Sequence, residues 1–314
     1  MEPYPGSSSP GPLAAECSPG DQLRRACCEA GDSDMILRMQ PSDSRARIIS
    51  VFNLVAAGYD GAPLRFFPFC ADRMIRHLNP APAAKLLDVA TGTGAVALAA
   101  SQAVGQQGRV MAIDLAEAML ERLQEKISKF GIQNIDLHVM DAGTLEFRRD
   151  YFDYVVSSFG IFFLPDMLAA LREWVRVLKP GGRAMFSVFG KTAFQPMMAR
   201  LVQNLDEHGV MTEGGDKPVV AMRLDEPARC RELLSQAGLV ETEVTTEQFG
   251  YHLKDDSQWW EVLWNSGMRG KLEKIPAAER ESFRVAHLQE VKPLMTDKGL
   301  WLDVETHLAV GTKP

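Results

Sequence analysis

The sequence predicts an α/β fold: a doubly wound, mostly parallel sheet of seven strands that carries helical lid insertions. From residue 85 to residue 189, short apolar stretches rich in strand-forming residues alternate with stretches of helical period. Two later strands are predicted, one at 239–250, which has β-branched alternation, and a final one at 304–311. Strict alternation of strand and helix predicts a parallel sheet, because each crossover returns the chain to the same end of the sheet.

The composition is that of ordinary globular material. Of the 314 residues, 46% are hydrophobic and 24% are charged, which is enough apolar surface for a large core. The net charge of −7 argues against a nucleic-acid partner, because such proteins usually present a dense basic face. No apolar run approaches the about 20 residues of a membrane-spanning helix. The five cysteines have no metal-binding spacing, so we expect reduced thiols, no metal site and a cytoplasmic protein.

Two kinds of segment are predicted before the first strand. Residues 1–40 are rich in Pro, Gly and Ser and have no hydrophobic period, so we expect a disordered tail. The folded domain is then expected to span 41–314. Its first two helices are predicted over 44–58 and around 71–78.

The alternating region is predicted to contain five strands and the helices between them. The strands are expected at 85–90, 109–114, 135–140, 152–157 and 183–189. The first helix is the alanine-rich 95–104. The next two are recognised by apolar residues on one face, which are Met119, Leu120, Leu123, Ile127 and Phe130 in one and Leu171, Trp174, Val175 and Leu178 in the other. The segment KPGG at 179–182 is expected to end the third helix.

Two insertions, at about 190–237 and 255–300, are predicted to form a lid over the carboxyl edge of the sheet. The second contains Trp259, Trp260 and Trp264, with the last two four residues apart on one helical face. They are interpreted as the stripe that docks this insertion, in preference to the wall of an apolar substrate pocket.

The end of the first strand combines a carboxylate with a bare loop. Asp88 precedes Gly92 and Gly94, and a helix begins directly afterwards. Glycines let a ligand approach the backbone, and the helix start offers unpaired N–H groups. A carboxylate beside this loop repels phosphate and attracts a cation, such as the amino group of an amino acid.

Acidic residues also end the next two predicted strands. Asp114 follows Gly94 by 20 residues, a position where an acid accepts hydrogen bonds from ribose hydroxyls. Asp141 is followed by the small Ala142, and this pair suits the amine and the ring of adenine. Each acid alone could also be a helix N-cap or a turn residue. Their joint position after three consecutive strands favours one ligand with an amine, a ribose and an adenine.

A series of motifs resembles a known family. DVATGTG, AID, MDA, FDYVVSSFGIFFLPD and RVLKPGG follow one another as in the class I S-adenosylmethionine-dependent methyltransferases. The likeness is strongest to the subgroup that includes ubiquinone/menaquinone C-methyltransferases and covers about residues 45–190. It implies a Rossmann-like methyltransferase fold, S-adenosyl-L-methionine as cofactor, and methyl transfer to a small apolar or aromatic acceptor at carbon, oxygen or nitrogen.

The resemblance also implies roles for individual residues. Asp88 and the backbone of Ala90, Thr91, Gly92, Thr93 and Gly94 would hold the methionine part of the cofactor. Asp114 would bind the ribose, with Leu115 and Met119 flanking the adenosine, and Asp141 with Ala142 would bind the adenine. Ser157, Ser158 and Phe159 would line the methionine side, and Tyr59 would close over the cofactor. The family often has Gly-Cys or Gly-Ser where this chain has Ala90 and Thr91, so we expect a slightly tighter loop.

Two other functions remain open from the sequence. Gly92, Gly94 and Ala97 fit G-x-G-x-x-A with an acid 20 residues on, as in an NAD-dependent oxidoreductase. A catalytically silent cofactor-binding regulatory module has the same motifs. The sequence assigns no catalytic residue; His208, Tyr251 and His252 lie in the variable region after residue 190, where a lid could bring one of them to the substrate as a general base.

Overall fold

The computed structural model describes residues 41–211 and 220–314, so the predicted tail at 1–40 lies outside the described residues. The strands are β1 (Lys85–Val89), β2 (Arg109–Asp114), β3 (Ile135–Val139), β4 (Phe152–Ser158), β5 (Leu178–Phe189), β6 (Val240–Gln248), β7 (Tyr251–Leu253), β8 (Leu300–Leu302) and β9 (Glu305–Thr312). The helices are α1 (Pro41–Val55), α2 (Phe66–Leu78), α3 (Ala95–Val104), α4 (Glu117–Phe130), α5 (Met167–Val177), α6 (Met197–Glu207), α7 (Pro227–Gln236), α8 (Asp256–Trp264), α9 (Arg269–Leu272) and α10 (Arg280–Val291).

The main sheet has seven strands in the order β3-β2-β1-β4-β5-β9-β6. The first five strands of the chain pair in parallel, whereas β9 is antiparallel to both β5 and β6. The predicted seven-stranded, mostly parallel sheet is therefore confirmed. In this order β1 and β4 are neighbours at the centre. From β1 the strands β2 and β3 follow towards one edge of the sheet, whereas from β4 the strand β5 follows towards the other edge.

Burial explains why the central strands read as apolar runs. In β1, Leu86, Leu87 and Val89 are each fully buried, as expected for a parallel strand covered on both faces. Residues at the edge behave differently, because β3 and β6 have one free side and contain many exposed positions. The carboxyl ends of β1, β2 and β4 consequently open at one rim, where ligands of such sheets bind.

The third predicted helix ends earlier, and the fifth strand begins earlier, than the sequence predicts. The helix α5 ends at Val177, and Leu178 already pairs with Phe152 of β4. The KPGG segment is therefore part of β5, and it passes an irregularity in the β4–β5 register instead of forming a separate turn. Gly181 takes a left-handed φ of 77° there, a conformation that glycine adopts without steric cost.

Phe130 was predicted to pack with the rest of the α4 stripe, and this prediction is wrong. Its side chain is 63% exposed, whereas Met119, Leu120, Leu123 and Ile127 are buried. Phe130 is the last residue of the helix, and Gly131 turns the chain away in the left-handed conformation, so no further turn covers the ring.

Two short strands border the second predicted insertion. β7 and β8 lie at its two ends and form a separate two-stranded antiparallel sheet that the sequence pattern did not predict. The tryptophans of α8 have different environments: Trp259 is fully buried, while Trp260 and Trp264 are half-buried and stack at 6.0 Å between ring centroids. Trp259 is therefore the tryptophan that docks α8 on the core. Within 41–211 and 220–314, no helix has the length and apolarity to span a membrane.

Candidate functional site

The loop between β1 and α3 is built from left-handed residues. Ala90, Gly92 and Gly94 have φ values of 55°, 55° and 87°. A side chain at Gly94 would also meet Leu123, since an added Cβ would lie 2.2 Å from the Leu123 Cδ1 atom. Glycine is required at this position for both reasons. The helix α3 then begins at Ala95, with its first N–H groups directed back towards the loop.

Asp88 is a buried carboxylate that lacks a full set of hydrogen-bond partners. Its side chain is 1% exposed, and its Oδ2 atom accepts a hydrogen bond of 2.6 Å from the Thr91 hydroxyl. Its Oδ1 atom has no partner within the described residues. Burial raises the pKa of Asp88 to about 7, against the opposing effects of Thr91 and the nearby Ala97 amide, and Asp114 adds to the increase. An ammonium group at this atom would complete its hydrogen bonding.

Ser157 provides a second unpaired polar atom at the end of the neighbouring strand. Its hydroxyl is fully buried and has no hydrogen-bond partner in the described part of the chain. A Cβ added at Gly160 would lie 2.8 Å from both this hydroxyl and the Ala90 Cβ atom, so glycine allows the loop after β4 to approach the loop after β1. Both orphaned polar atoms thus belong to the same rim.

Asp114 links the end of β2 to the glycine loop. One carboxylate oxygen accepts the Gly92 N–H at 2.8 Å, and the other accepts the Ala116 N–H at 2.9 Å. Burial raises the pKa of Asp114, while these amides lower it. Because a carboxylate has about four acceptor sites, roughly two remain for the hydroxyls of a ribose.

Asp141 lies two residues beyond β3 and contacts the first helix. Its Oδ1 atom accepts the Gly143 N–H at 2.8 Å, and its Oδ2 atom forms an ion pair with Arg45 of α1. The carbonyl of Ala142 accepts a hydrogen bond of 2.8 Å from the buried Trp174 indole. The Asp141–Ala142 segment is therefore held from two sides, by α1 and by α5.

Tyr59 follows α1 and lies over the glycine loop. An added Cβ at Gly92 would lie 3.9 Å from the Tyr59 Cε1 atom, and the ring stacks on Phe67 at 4.7 Å between centroids. Burial and the carboxylates of Asp114 and Asp60 raise the pKa of the Tyr59 hydroxyl well above its usual value. The half-buried ring thus covers the loop as a neutral phenol.

The remaining predicted site residues differ in how closely they face this loop. Leu115 is half-buried beside Asp114, whereas Met119 is fully buried against Val55 and Ala56 beneath α1. Phe159 packs on Phe189 with the ring centroids 4.2 Å apart. The Ser158 hydroxyl pairs with Ser187 of β5 at 3.0 Å, so the structure brings Ser157, but not the Ser158 hydroxyl, to the glycine loop.

The donors and acceptors at this rim fit the parts of S-adenosylmethionine. The unpaired Asp88 oxygen suits an ammonium group, the remaining lone pairs of Asp114 suit a diol, and the bare backbone at Gly92 permits close approach.

The three side chains considered as general bases make contacts away from the glycine loop. Tyr251 donates to the Pro63 carbonyl at 2.8 Å, and burial raises its pKa to about 12. His208 bonds the Asn204 carbonyl, and His252 packs against Trp301.

Sequence reasoning missed the contacts that hold α1 and the turn after it over the rim. Arg45 reaches Asp141, Asn53 accepts the Ala118 N–H at 3.0 Å, and Asp60 accepts the Thr93 hydroxyl at 2.7 Å. Lys126 of α4 also contacts Asp60 at 2.7 Å. Arg45, Asn53 and Lys126 are polar positions on helices and Asp60 lies in a turn, and a sequence pattern cannot distinguish such positions from solvated ones.

Comparison with known proteins agrees with this arrangement. Residues 39–212 match the model of the ubiE/COQ5 methyltransferase family. The chain is 34% identical over 149 residues to aklanonic acid methyltransferase DauC of Streptomyces sp. strain C5, covering 48% of this chain and 68% of that protein. It is 34% identical over 143 residues to a demethylmenaquinone methyltransferase of Bacillus cereus, covering 44% of this chain and 60% of that relative.

The fold also matches solved structures. The YcgJ protein from Bacillus subtilis superposes with a TM-score of 0.53 at 20% identity, covering 78% of this chain and 98% of that one. At this identity the match concerns the fold alone, and it agrees with the Rossmann-like methyltransferase fold that the sequence predicts.

Proposed function

Because this chain belongs to the ubiE/COQ5 methyltransferase family and is an S-adenosylmethionine-dependent methyltransferase, we propose that it methylates a small apolar or aromatic acceptor. The family assignment gives no support to an NAD-dependent oxidoreductase or to a silent regulatory module. The acceptor class is the part of this function that rests on the surroundings of the site.

Residue roles in cofactor binding are proposed from the geometry of the rim. Asp88 and the backbone from Ala90 to Gly94 would hold the methionine part, with the Asp88 carboxylate facing the ammonium group. Asp114 would accept the ribose hydroxyls through its free lone pairs, and Asp141 with Ala142 would hold the adenine. The observation that supports the first role most directly is the buried Asp88 oxygen that lacks a partner. Tyr59 would cover the bound molecule and exclude water.

The methyl carbon of the bound sulfonium is electrophilic, so the cofactor supplies the driving force of the transfer. The chain's own residues then have to align the acceptor and keep water out. The aromatic rings at the carboxyl ends of β4 and β5 are suited to aligning an apolar acceptor and excluding water. Phe159 and Phe189 stack on one another, and Phe163 lies edge-on to Phe52 of α1 with the ring centroids 5.2 Å apart.

An aromatic wall next to the cofactor loop is the observation that carries the proposed acceptor class. Phe66, Phe162 and Phe194 extend the wall, with Phe194 at 4.9 Å and the other two at 6.0 Å from the Phe189 ring centroid. Phe66, Phe159, Phe162 and Phe189 are buried, so the half-buried rings of Phe163 and Phe194 are the ones that would meet an acceptor, and they would stabilise an apolar or aromatic molecule by burial and ring packing. The net charge of −7 likewise favours a small-molecule acceptor over a nucleic acid.

We also propose a cytoplasmic location. The free, buried thiols of Cys70 and Cys230 fit a reducing compartment.

The test is a panel of quinols, phenols and amines incubated with S-adenosylmethionine, with production of S-adenosylhomocysteine as readout. Turnover is expected with an apolar aromatic acceptor.

A substitution in the aromatic rings tests the same proposal. Phe163→Ala should raise the acceptor KM about tenfold and leave the affinity for S-adenosylhomocysteine within twofold, because Phe163 is half-buried on the acceptor side. A matched control is Phe130→Ala, whose ring is exposed on α4. Turnover confined to charged hydrophilic acceptors would contradict the proposal.

A further inference from the structure

We propose that Asp60 is a positioning residue that locks the turn after α1 onto the cofactor loop and thereby sets how long the cofactor stays bound. This inference rests on the proposed function, because it concerns the same site. It names a residue for which neither the sequence motifs nor the orphaned atoms of the rim gave a role.

Three side chains form the lock. The Asp60 carboxylate accepts a hydrogen bond of 2.7 Å from the Thr93 hydroxyl with one oxygen, and its other oxygen lies 2.7 Å from the Lys126 ammonium. The Lys126 ammonium also donates to the Thr93 carbonyl at 2.8 Å. Each member therefore contacts both others, which fixes the geometry more firmly than an isolated surface ion pair would.

The three members come from three different parts of the chain. Asp60 follows Tyr59 directly, Thr93 lies between the two glycines of the cofactor loop, and Lys126 is on α4. Thr93 is 3% exposed, and the Lys126 side chain is 24% exposed. The Asp60 side chain is 47% exposed, so the lock is shielded from water on the side of Thr93 and Lys126, where its hydrogen bonds are stronger than those of a fully solvated pair.

The contacts of Asp60 explain why Tyr59 lies over Gly92. In the turn at residues 56–60, Ala57 and Asp60 are exposed, Ala56 is buried, and the Tyr59 ring packs on Phe67 and edge-on to Phe52, so Asp60 supplies the polar contact that fixes the end of the turn. With Asp60 held by Thr93, the preceding tyrosine ring is confined between the glycine loop and Phe67. A molecule bound at the loop can leave only when the Tyr59 ring moves. This movement first requires Asp60 to separate from Thr93 and Lys126.

The experiment measures dissociation of S-adenosylhomocysteine from the full-length protein by stopped flow, in the wild type and in variants of the lock. Asp60→Asn keeps the shape but places an amide opposite the Lys126 ammonium, and Lys126→Met removes the charge. Each is expected to raise the dissociation rate about tenfold, the loss of roughly one charge-assisted hydrogen bond. The double variant should be no worse than either single one, and Lys126→Arg should restore the wild-type rate.

Two further readouts separate positioning from mere structure. The KM for S-adenosylmethionine should rise about tenfold while kcat stays within twofold. Amide hydrogen exchange of the ligand-free protein should increase over residues 48–60 and stay unchanged over α2. The matched controls are Lys129→Met on the same helix and Asp72→Asn, whose carboxylate pairs with Arg76 on the surface of α2.

The outcomes distinguish this inference from the proposed function. If the wild type does not bind S-adenosylhomocysteine, the proposed cofactor role of the rim fails, while hydrogen exchange still reports on the lock. If the wild type binds it and both Asp60→Asn and Lys126→Met leave dissociation and exchange unchanged, the lock is overturned and the proposed function stands. A lower melting temperature with unchanged dissociation would also overturn it.

Discussion

The chain buries an ionisable side chain in each of two regions, Asp88 at the end of β1 and His287 in α10, and surrounds them in opposite ways. Asp88 has one oxygen bonded to Thr91 and one without a partner among the described residues. His287 is fully buried, and both of its ring nitrogens are engaged. Its Nε2 atom accepts from the Trp259 indole at 2.9 Å, so the ring proton is on Nδ1, which faces the amide group of Asn204 at 3.4 Å.

The difference shows how structural and functional polar groups can be told apart. Burying a polar group without a partner costs free energy, so a chain normally supplies one. His287 has its partners from α6 and α8 and thereby joins three helices of the insertions. The buried Asp88 oxygen remains unpaired, and the free energy that this costs is offset only when a ligand supplies the missing hydrogen-bond donor.

The largest expected effect is on ligand binding at Asp88. Asp88→Asn keeps the shape and removes the charge that would face the ammonium group, so the affinity for S-adenosylhomocysteine should fall about 100-fold, or roughly 3 kcal/mol. Titration calorimetry measures it. Because the substitution also removes a buried charge, urea unfolding should show no loss of stability. An affinity within threefold of the wild type would contradict the assigned role of Asp88.

The second expected effect concerns stability at His287. His287→Ala leaves a cavity and an unpaired Trp259 indole, so the free energy of unfolding should fall by about 3 kcal/mol in urea titrations. The affinity of the folded protein for S-adenosylhomocysteine should stay within twofold. His138→Ala, at an exposed position on β3, is the matched control and should change stability by less than about 0.5 kcal/mol.

The third effect is the opposite response of the two groups to pH. Burial raises the pKa of Asp88 to about 7, with Asp114 as a further cause. The carboxylate is the form that attracts an ammonium group, so the affinity for S-adenosylhomocysteine should fall up to about tenfold per pH unit below 7. The dependence should be absent in Asp88→Asn, and an equal slope in that variant would assign it to another group.

The effect on stability has the reverse sign for the two side chains. Since the folded pKa of Asp88 is raised, its burial cost is present above pH 7 and is relieved as the pH falls through 7. Burial lowers the pKa of His287 to about 4, while Glu290 raises it and Arg200 lowers it. Its contribution is present above about 6.5 and is lost between 6.5 and 4, by up to about 1.4 kcal/mol per unit. Urea unfolding of His287→Ala across this range should lack that loss.

The smallest expected effect is at the loop backbone. Ala90 has a φ of 55°, which costs a residue with a Cβ about 1 kcal/mol. Ala90→Gly should therefore raise the free energy of unfolding by about 1 kcal/mol. The control is Ala99→Gly in the interior of α3, where the same change should lower it by a similar amount. Equal signs in the two variants would exclude strain at Ala90.

Most elements of the core were predictable because their signals are local. The period of β1, the alanine-rich α3 and the left-handed Asn79 that ends α2 each depend on neighbouring residues. Phe130 and the KPGG segment were misjudged because their state depends on what lies beside them, which is solvent for Phe130 and strand β4, with its register irregularity, for KPGG. The small β7–β8 sheet was missed because strands of three residues carry almost no periodicity.

The sequence by itself determined the order of strands and helices, the glycine loop, and the carboxylates at three successive strand ends, because each of these is a short-range pattern. Only the tertiary structure decided which carboxylate oxygen lacks a partner, which tryptophan docks α8, and how α1 and the turn after it reach Asp141, Ala118 and Thr93. These contacts join residues far apart in the chain. They depend on the relative orientation of whole helices, which packing sets and no local pattern encodes.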